Sequence, residues 1–425
     1  MKKLSKRLSM PLENRRTILN VIHRSGSISR IGLRKATGLR LASITHAVRQ
    51  LIKENLIYES RKVRQKPGKA GRNQVLLELK PKTRYAIGVE LGHGFFGFLA
   101  LGLTGNQVGR KKIRCGTNLG KFEVLKNLIE AASRFVRENS VSWKDVVGLG
   151  FVDPGVVDVK NGISLFSTFI PAWRDVPTRQ FLEKELQVKV YLLGTSQAMA
   201  LAEKIKGAGK GYSDFLRIEY GEGIACGIVS GGNLIRGSLE MAGELGHYHF
   251  QGDQTPCHCG GLGCLEAICA LPALAQKART LIEFGTSSLL LEMSGGKPKK
   301  ITGLMILDGF KNNDRLCQQI LGEAVSYLGT AISNTVNIFN PQLVVLDKNF
   351  ARAGDYFLEH LKHIIRSGTL LGGKYLEFAV SRLEEEAGTL GGATFALEHF
   401  FTDYPLQIKD EPRSLQRPQS KDNLQ

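Results

Sequence analysis

Two segments of this chain repeat one pattern: an apolar strand, a glycine turn and a second strand. The first copy spans residues 86–103 and turns at Gly92, and the second spans residues 215–229 and turns through Gly221 and Gly223. Helix-like segments follow each copy, which is typical of the α/β class. The repetition predicts a duplicated, two-lobed α/β body with a cleft between the lobes.

The N-terminal 82 residues differ from the rest of the chain in charge. They contain 21 Lys and Arg against 4 Asp and Glu, a net charge of +17, whereas the whole chain carries +19. A short basic module on a nearly neutral body indicates that the module binds a polyanion. A membrane surface would satisfy the same charge, so the helix pattern has to decide between the two partners.

That pattern predicts a winged helix-turn-helix. Helices are expected over residues 12–24, 29–37 and 40–55, with the second and third joined by a tight turn at Gly38, and strands over residues 56–64 and 74–79. The apolar side chains expected to face inward are Ile18, Leu19 and Ile22 on the first helix and Ile44, Val48, Leu51 and Ile52 on the third.

The third helix and the basic loop between the two strands carry the side chains expected to contact DNA. Positive charge there neutralises phosphates, and outward side chains of a recognition helix reach base edges. The candidate DNA-binding residues are Arg40, Leu41, Thr45, His46 and Arg49 on the helix and Lys69 and Arg72 in the loop. The alternative is a small helical protein-interaction module, which would not need this charge.

A cluster of cysteine and histidine follows the second copy of the repeat. Cys257, Cys259 and Cys264 are separated by glycines, and His247 precedes them in a glycine-bounded motif. Three thiolates and an imidazole have the ligand count and softness of a closed, structural Zn²⁺ site. Spacing separates His247 poorly from His249 and His258 as the fourth ligand, and free cysteines in a loop are the alternative.

Two glutamates, Glu244 and Glu266, bracket this cluster. A Cys₃His set is already complete, so both cannot be zinc ligands. Carboxylates held beside a metal scaffold can accept hydrogen bonds from hydroxyl groups of a ligand. Solvated surface acids are the alternative for each.

These residues resemble the signature of the ROK family, which groups repressors, open reading frames and sugar kinases. The resemblance extends over nearly the whole chain and includes Tyr85-Ala86-Ile87-Gly88 after the basic module. Its residues are Gly243-Glu244-Leu245-Gly246-His247, then Cys257, Cys259, Gly260, Gly263, Cys264 and Glu266, with Asn340-Pro341 and Gly391-Gly392-Ala393 further on.

The resemblance implies an actin-like, hexokinase-type two-lobed fold and a role for each signature residue. Zinc would be bound by His247, Cys257, Cys259 and Cys264. Glu244 and Glu266 would hold sugar hydroxyls, with His247 near the sugar. Members with an N-terminal module of this kind resemble sugar-responsive transcriptional regulators.

Four departures from the family pattern argue against phosphoryl transfer. Thr195 stands where the family has its catalytic aspartate, and a hydroxyl cannot act as general base near neutral pH as a carboxylate can. The phosphate loops read Glu90-Leu91-Gly92-His93-Gly94 and Gly221-Glu222-Gly223, so that Glu222 would repel ATP phosphates. Asp347-Lys348 replaces a glycine pair.

The sugar pocket also departs from the family. Phe169 and Gly194 stand where the family has asparagines that contact sugar, so an ordinary hexose would lose several hydrogen bonds. A different and less polar, carbohydrate-like effector is favoured slightly over a vestigial pocket.

We therefore expect a DNA-binding transcriptional regulator, and a repressor is favoured. Its kinase-like body is expected to be catalytically inactive and to serve effector binding and dimerisation. An ATP-dependent sugar kinase and a scaffold that does not bind DNA are the competing hypotheses. The expected partners are a double-stranded DNA operator and a second copy of the chain, as homodimer or homotetramer, because palindromic operators need two recognition helices at fixed spacing. The expected domains are residues 1–82, 83–195 and 196–408, with a disordered tail over 409–425.

The expected location is the cytoplasm. No run of 18 apolar residues is present, and the N-terminus lacks the apolar core of a signal peptide. The remaining cysteines are scattered without a disulfide framework, which suits a reducing compartment.

Overall fold

A computed structural model describes residues 2–63, 74–116, 119–167, 170, 172–383 and 386–404, without the side chains of residues 2–11. The chain divides into two compact units: residues 1–83 together with the segment from Glu398 onward, and Arg84–Leu397. Lys69, Arg72, Phe169 and the predicted tail from Lys409 lie outside the described residues. Within those residues, no helix combines the length and apolar character needed to cross a membrane.

The N-terminal unit contains three helices and a three-stranded antiparallel sheet. Ser29 caps the second helix, where its hydroxyl oxygen accepts a hydrogen bond from the Gly32 N–H at 3.1 Å. That helix ends at Gly38, whose φ of 70° few other residues adopt. The elements are α1 (Lys2–Ser25), β1 (Ser27–Ser29), α2 (Arg30–Thr37), α3 (Leu41–Lys53), β2 (Ile57–Val63) and β3 (Gln74–Leu79), with sheet order β1-β3-β2.

The core of this unit lies between α1 and α3. Ile18, Leu19 and Ile22 are fully buried, as predicted. The buried residues of α3 are Ile44, Ala47, Val48 and Leu51. The prediction for Ile52 is wrong: 37% of this residue is exposed. At about 100° per residue, Ile52 falls about 40° beyond Val48 and outside the buried arc.

The first half of the larger unit is a five-stranded mixed sheet of order β11-β7-β4-β5-β6. An antiparallel hairpin opens it, and β7 and β11 then add in parallel. Its elements are β4 (Tyr85–Gly92), β5 (Phe95–Gly102), β6 (Gln107–Arg114), α4 (Lys121–Glu138), β7 (Val146–Asp153), β8 (Val156–Asp158), β9 (Ile163–Phe166), β10 (Arg174–Val176), α5 (Thr178–Leu186) and β11 (Val190–Gly194). Strands β8–β10 form a small separate sheet.

The second half repeats this topology. Its sheet has the order β14-β13-β12-β15-β16, so in both halves the strands, numbered by their own sequence, lie in the order 3-2-1-4-5. Its elements are α6 (Thr195–Lys206), β12 (Phe215–Tyr220), β13 (Ile224–Ser230), β14 (Asn233–Ile235), α7 (Leu265–Cys269), α8 (Leu271–Glu283), α9 (Leu289–Met293), α10 (Gly303–Lys311), α11 (Arg315–Phe339), β15 (Leu343–Leu346), α12 (Lys348–Arg352), α13 (Asp355–Ser367), β16 (Glu377–Val380) and α14 (Ala387–Asp403). The duplication predicted from the two glycine-turned hairpins is confirmed.

The glycines of α14 allow this helix to pack closely against both halves. A Cβ at Gly391 would lie 1.8 Å from the carbonyl oxygen of Ala198 on α6. A Cβ at Gly88 on β4 would lie 1.9 Å from the carbonyl oxygen of Thr389 on α14. Such distances exclude a side chain, so these contacts fix β4 and α6, whose ends line the cleft between the sheets.

Candidate effector and metal site

The segment that carries Glu244 lies against β13 through two glycines. Gly243 has a φ of 97°, and a Cβ there would lie 1.8 Å from the carbonyl oxygen of Cys226. A Cβ at Gly246 would lie 2.3 Å from the carbonyl oxygen of Ile224. The backbone can approach the strand this closely only with glycine at both positions, and this approach places Glu244 and His247 at the cleft.

Four side chains of the cysteine cluster converge. The ligand atoms of His247, Cys257, Cys259 and Cys264 all lie within 4.8 Å of one another. The sulfur atoms of Cys259 and Cys264 are 3.7 Å apart, close to the roughly 3.8 Å expected for two thiolates on a tetrahedral Zn²⁺. The donor set and its spacing therefore fit the zinc that the sequence predicts.

The backbone around the thiols folds as a tight loop. The Gly261 N–H donates to the sulfur of Cys259 at 3.4 Å, and the Cys257 N–H donates to the carbonyl oxygen of Gly261 at 2.9 Å. His249 lies opposite Cys264 in a β-bridge, with Nε2 3.7 Å from the sulfur of Cys264. Because His249 is outside the converging set of four, the geometry favours His247 as the nitrogen ligand.

His247 connects this cluster to the cleft. Its Nδ1 lies 3.8 Å from the sulfur of Cys257, and its Nε2 lies 4.0 Å from a carboxylate oxygen of Glu244. An imidazole that binds metal through Nδ1 carries its proton on Nε2, which here faces a carboxylate. The metal cluster and the predicted effector site thus share this side chain.

The cleft holds a cavity of about 320 Å³ that brings the predicted effector residues together. Two phenylalanines, Phe95 and Phe166, contribute apolar wall, and among the described lining residues there is no Lys or Arg. The carboxylates that line it are Glu90, Asp153, Glu219, Glu222, Glu244 and Glu266. His247, Thr195 and Gly194 line it as well.

The carboxylates of this cavity are held in different ways. Glu266 accepts a hydrogen bond from the Ile224 N–H at 3.1 Å, which fixes it against the glycine turn. Burial, followed by the neighbouring charge of Glu266, raises the pKa of Glu244. Burial also raises the pKa of Glu219 to about 7, with Asp347, Glu244 and Glu266 adding to the shift and Arg217 opposing it.

Sequence reasoning missed two members of this cavity, Asp153 and Glu219. Glu219 alternates with Arg217 on the otherwise apolar strand β12, and this pair of charged positions was the available signal. Asp153 ends β7 and is fully buried. Burial raises the pKa of Asp153 to about 6, although hydrogen bonds from Ser164, Trp173 and the Gly155 N–H oppose the shift.

Thr195 begins α6 and faces the cavity without a basic partner. Its hydroxyl donates to the backbone carbonyl oxygen of Asp153 at 3.1 Å. The two carboxylate oxygens of Asp153 are themselves engaged, one by the Gly155 N–H at 2.9 Å and the other by Trp173 Nε1 at 3.1 Å and by Ser164. This part of the cavity therefore presents a hydroxyl group, at Thr195, and a carboxylate whose two oxygens already accept hydrogen bonds.

A buried ion pair lies beyond the carboxylates. Arg217 on β12 donates from Nη2 to Asp347 at 2.7 Å, and the Arg217 side chain is 5% exposed. Asp347 also caps α12 by accepting from the Asn349 N–H at 3.0 Å. Asp347 thus makes two structural contacts at a position where the family resemblance implies a glycine.

In the N-terminal unit, α3 presents the predicted DNA-contacting side chains away from the core. Arg40, Leu41, His46 and Arg49 are exposed, and Thr45 is partly exposed. The side chains of Ile44, Ala47, Val48 and Leu51 face the opposite way. One face of α3 therefore packs on the core, and the opposite face is exposed.

Comparison with known proteins identifies relatives of two kinds. The model of the ROK family matches residues 86–399. A xylose repressor from Caldicellulosiruptor bescii is 27% identical over 89% of this chain and 94% of its own length. A glucokinase from Thermotoga maritima is 32% identical over 75% of this chain and 98% of its own length. The crystal structure of a ROK family transcriptional regulator, a homologue of the Escherichia coli Mlc protein, superimposes with a TM-score of 0.77 at 26% identity, covering 92% of this chain and 96% of that one.

Proposed function

The chain belongs to the ROK family, and we propose that it is a DNA-binding transcriptional repressor whose kinase-like body senses a carbohydrate-like effector. It is a regulator and not an enzyme. The xylose repressor and the transcriptional regulator match about nine tenths of this chain, including the basic N-terminal unit, whereas the glucokinase matches about three quarters of it.

The observation that carries the proposal is the two-faced helix α3 in a strongly basic unit. With α2 before it and the β2–β3 hairpin after it, α3 is the recognition helix of a winged helix-turn-helix. Its buried face fixes the helix on the core, which leaves Thr45, His46 and Arg49 to meet the major groove. Arg40, together with Lys69 and Arg72 from the segment between β2 and β3 in the sequence, supplies charge for the phosphates.

The metal in this proposal is a structural zinc held by His247, Cys257, Cys259 and Cys264. Four protein ligands complete the tetrahedron, so the ion provides rigidity and no open coordination position. The support for this assignment is the convergence of the four ligand atoms. Through His247, the ion would brace Glu244 at the edge of the cavity.

The effector in this proposal is a neutral, hydroxyl-rich molecule bound by Glu244 and Glu266. Ionised carboxylates accept hydrogen bonds from hydroxyls and repel anions. The support is a cavity with six carboxylates and, among the described lining residues, no cationic side chain of Lys or Arg. Binding in this cleft shifts the equilibrium between arrangements of the two halves.

The assembly in this proposal is a homodimer or homotetramer. A helix-turn-helix protein that reads a palindrome needs two recognition helices about one turn of DNA apart. A second copy of the chain supplies the second helix. Effector binding can then change the distance between the two recognition helices.

DNA binding is tested by gel shift with the region upstream of the chain's own coding sequence, in moderate salt with competitor DNA. We expect binding that is at least about a thousandfold tighter than to random DNA, as specific binders show. Binding no tighter than to random DNA would refute the assignment.

Effector binding is tested by thermal shift of the full chain over a panel of neutral sugars and polyols. Replacing Glu266 by Gln removes the negative charge that strengthens hydrogen bonds from the hydroxyl groups of a ligand. It should abolish the stabilisation that an active compound produces. Glu123→Gln, on the exposed face of α4, is the matched control and should keep it. If an active compound stabilised Glu266→Gln and Glu123→Gln equally, this cavity would not be the effector site.

A further inference from the structure

The cleft contains a second, smaller cavity. Its described lining has more cationic than anionic side chains, unlike that of the glutamate-lined cavity. Its volume is about 170 Å³, and it shares Glu90, Phe95 and Met199 with the glutamate-lined cavity. Its cationic lining residues are Lys112, Arg217 and Lys348. Among the described lining residues, the carboxylates are Glu90 and Asp347.

Arg217 is the residue that points to a ligand. It is 4% exposed, and Nη2 is bound to Asp347. In the described part of the chain, Nε and Nη1 of this guanidinium have no hydrogen-bond partner. The other oxygen of Asp347 is engaged by the Asn349 N–H, so this carboxylate does not supply the missing partners. Charged donors buried without partners are costly, and an acceptor in the cavity would remove that cost.

The lysines of this cavity come from both sheets. Lys112 lies on β6 of the first sheet, with its ammonium group 4.0 Å from the centre of the Phe95 ring. Lys348 follows β15 of the second sheet, is exposed, and has no ion pair among the described residues. A ligand between them would hold the two halves of the body together.

A larger cavity of about 540 Å³ adjoins these lysines and shares both with the smaller one. Arg110 and Lys111 line it, where they pair with Glu386 and Glu138 respectively. The larger cavity leaves room for an organic group attached to an anion held by Arg217.

We infer that the smaller cavity binds a phosphate-class anion, as free phosphate or as a phosphorylated small molecule. The unpartnered donors of Arg217 on β12 and the ammonium group of Lys348 after β15 come from different elements, and together they require three or more acceptor oxygens. A phosphate offers that number with a charge of about two, whereas a carboxylate offers two oxygens. This site adjoins the glutamate-lined cavity proposed for the neutral effector and takes a different class of ligand.

The test uses the full chain at constant ionic strength, adjusted with sodium chloride because the basic N-terminal unit also attracts anions. The probes are inorganic phosphate, pyrophosphate and a hexose 6-phosphate, titrated by calorimetry. Binding of all three indicates a site for phosphate itself, and binding of the ester alone indicates that the larger cavity takes part. Either result supports the inference, and no binding of any probe above the sodium chloride baseline overturns it.

Two double variants distinguish phosphate binding in the cavity from general electrostatic attraction of anions to the chain. Lys112→Ala with Lys348→Ala should raise the dissociation constant about tenfold or more for each lysine removed, and tenfold corresponds to about 1.4 kcal/mol. Lys126→Ala with Lys144→Ala removes two exposed lysines elsewhere in the same half and should leave it unchanged. Equal weakening by both pairs would overturn the inference.

Arg217→Lys tests the buried guanidinium directly, with circular dichroism to confirm that the variant is folded. It should weaken phosphate binding in the folded protein, because an ammonium cannot replace donors on two edges of a guanidinium. Glu266→Gln should leave phosphate binding intact, so failure of the neutral-effector proposal and failure of this one give different results. Unchanged phosphate affinity in the folded Arg217→Lys protein would count against the site.

Discussion

Glu244 and His247 face each other across 4.0 Å, carboxylate oxygen to ring Nε2, while the Nδ1 of the same ring faces the sulfur of Cys257. One imidazole thus touches both the metal cluster and the cavity. Zinc, if bound as proposed, would fix the ring, and the ring would orient the carboxylate through its remaining N–H.

The first prediction concerns the fourth metal ligand. His247→Ala should lose most of its bound zinc and lower the thermal stability of the body, because a structural site contributes folding free energy. His249→Ala is the matched control and should keep zinc, since its ring lies outside the converging set of four. Metal content measured by mass spectrometry checks both, and a protein that loses zinc only when His249 is replaced would contradict the assignment.

A second prediction concerns ATP. Glu222 lies on the turn after β12 and lines the glutamate-rich cavity. At a separation of about 4 Å and an effective dielectric constant of about 20, its charge costs about 4 kcal/mol against a phosphate. Glu222→Thr should therefore bind ATP more tightly than the natural chain, and Glu123→Thr should not.

Phosphorylation of sugars should stay at background in Glu222→Thr, because the Thr195 hydroxyl cannot take a proton from a sugar hydroxyl. A coupled assay over a panel of hexoses measures this. Turnover by the natural chain that disappears in Glu244→Gln would mean that the body is a working kinase.

A third prediction concerns the exposed face of α3. Arg49→Ala should weaken operator binding by about 1–3 kcal/mol. Its free energy of unfolding should change by less than about 0.5 kcal/mol, because the side chain is exposed. Fluorescence anisotropy with labelled operator measures the first effect and urea denaturation the second.

Arg134→Ala, on the exposed face of α4, removes the same charge from the larger unit and serves as control. It should bind the operator like the natural chain. The salt dependence of binding then identifies the type of contact. Loss of a phosphate contact makes the slope of log affinity against log salt concentration less negative by about 0.9, whereas loss of a base contact leaves the slope nearly unchanged. Natural affinity in Arg49→Ala would exclude this residue from the interface.

The fourth prediction concerns pH and Asp153. Its pKa of about 6 in the folded protein exceeds the ordinary value of 3.8. Between these pH values the folded chain binds more protons at Asp153 than the unfolded chain does, so the contribution of this residue to stability is greatest at low pH. It is lost as pH rises from about 4 to about 6, and amounts to about 3 kcal/mol over the full range.

Asp153→Asn removes this titration while keeping an acceptor oxygen. The difference in free energy of unfolding between the natural chain and the variant should therefore shift against the natural chain as pH rises. Urea denaturation of both proteins in the same buffers at pH 4.5 and 7.5 measures it, and effects common to both proteins cancel. A difference that is constant across this range would contradict the shifted pKa.

Elements governed by local pattern could be predicted from the sequence. The strand predicted over residues 74–79 has the expected bounds, and the helix predicted over residues 29–37 ends at the expected residue, Thr37. The two hairpins repeat a pattern that local spacing reveals, and each opens a sheet with the same strand order. Helix α13 and strand β16 were not identified, although the buried residues of α13, which are Phe357, Leu358, Leu361 and Ile365, follow helical spacing.

Within the candidate site, the sequence supplied the residues with a strong chemical signature. Cysteines near one another, glycines around a glutamate and a threonine in place of an aspartate are all visible without coordinates. The Arg217–Asp347 pair was not, because β12 and β15 meet only through parallel pairing of residues more than a hundred positions apart.

The sequence by itself determined the two-lobed class, the basic module and the set of metal-binding candidates, because periodicity, charge and residue type are local properties. Tertiary structure decided which long-range partners meet. His23 stacks on Phe401 with ring centres 3.8 Å apart, so the last turns of α14 pack in the N-terminal unit. His247 and Glu244 likewise meet only because two glycines bring their segment against β13. Such contacts depend on the packing of distant segments, which no local pattern encodes.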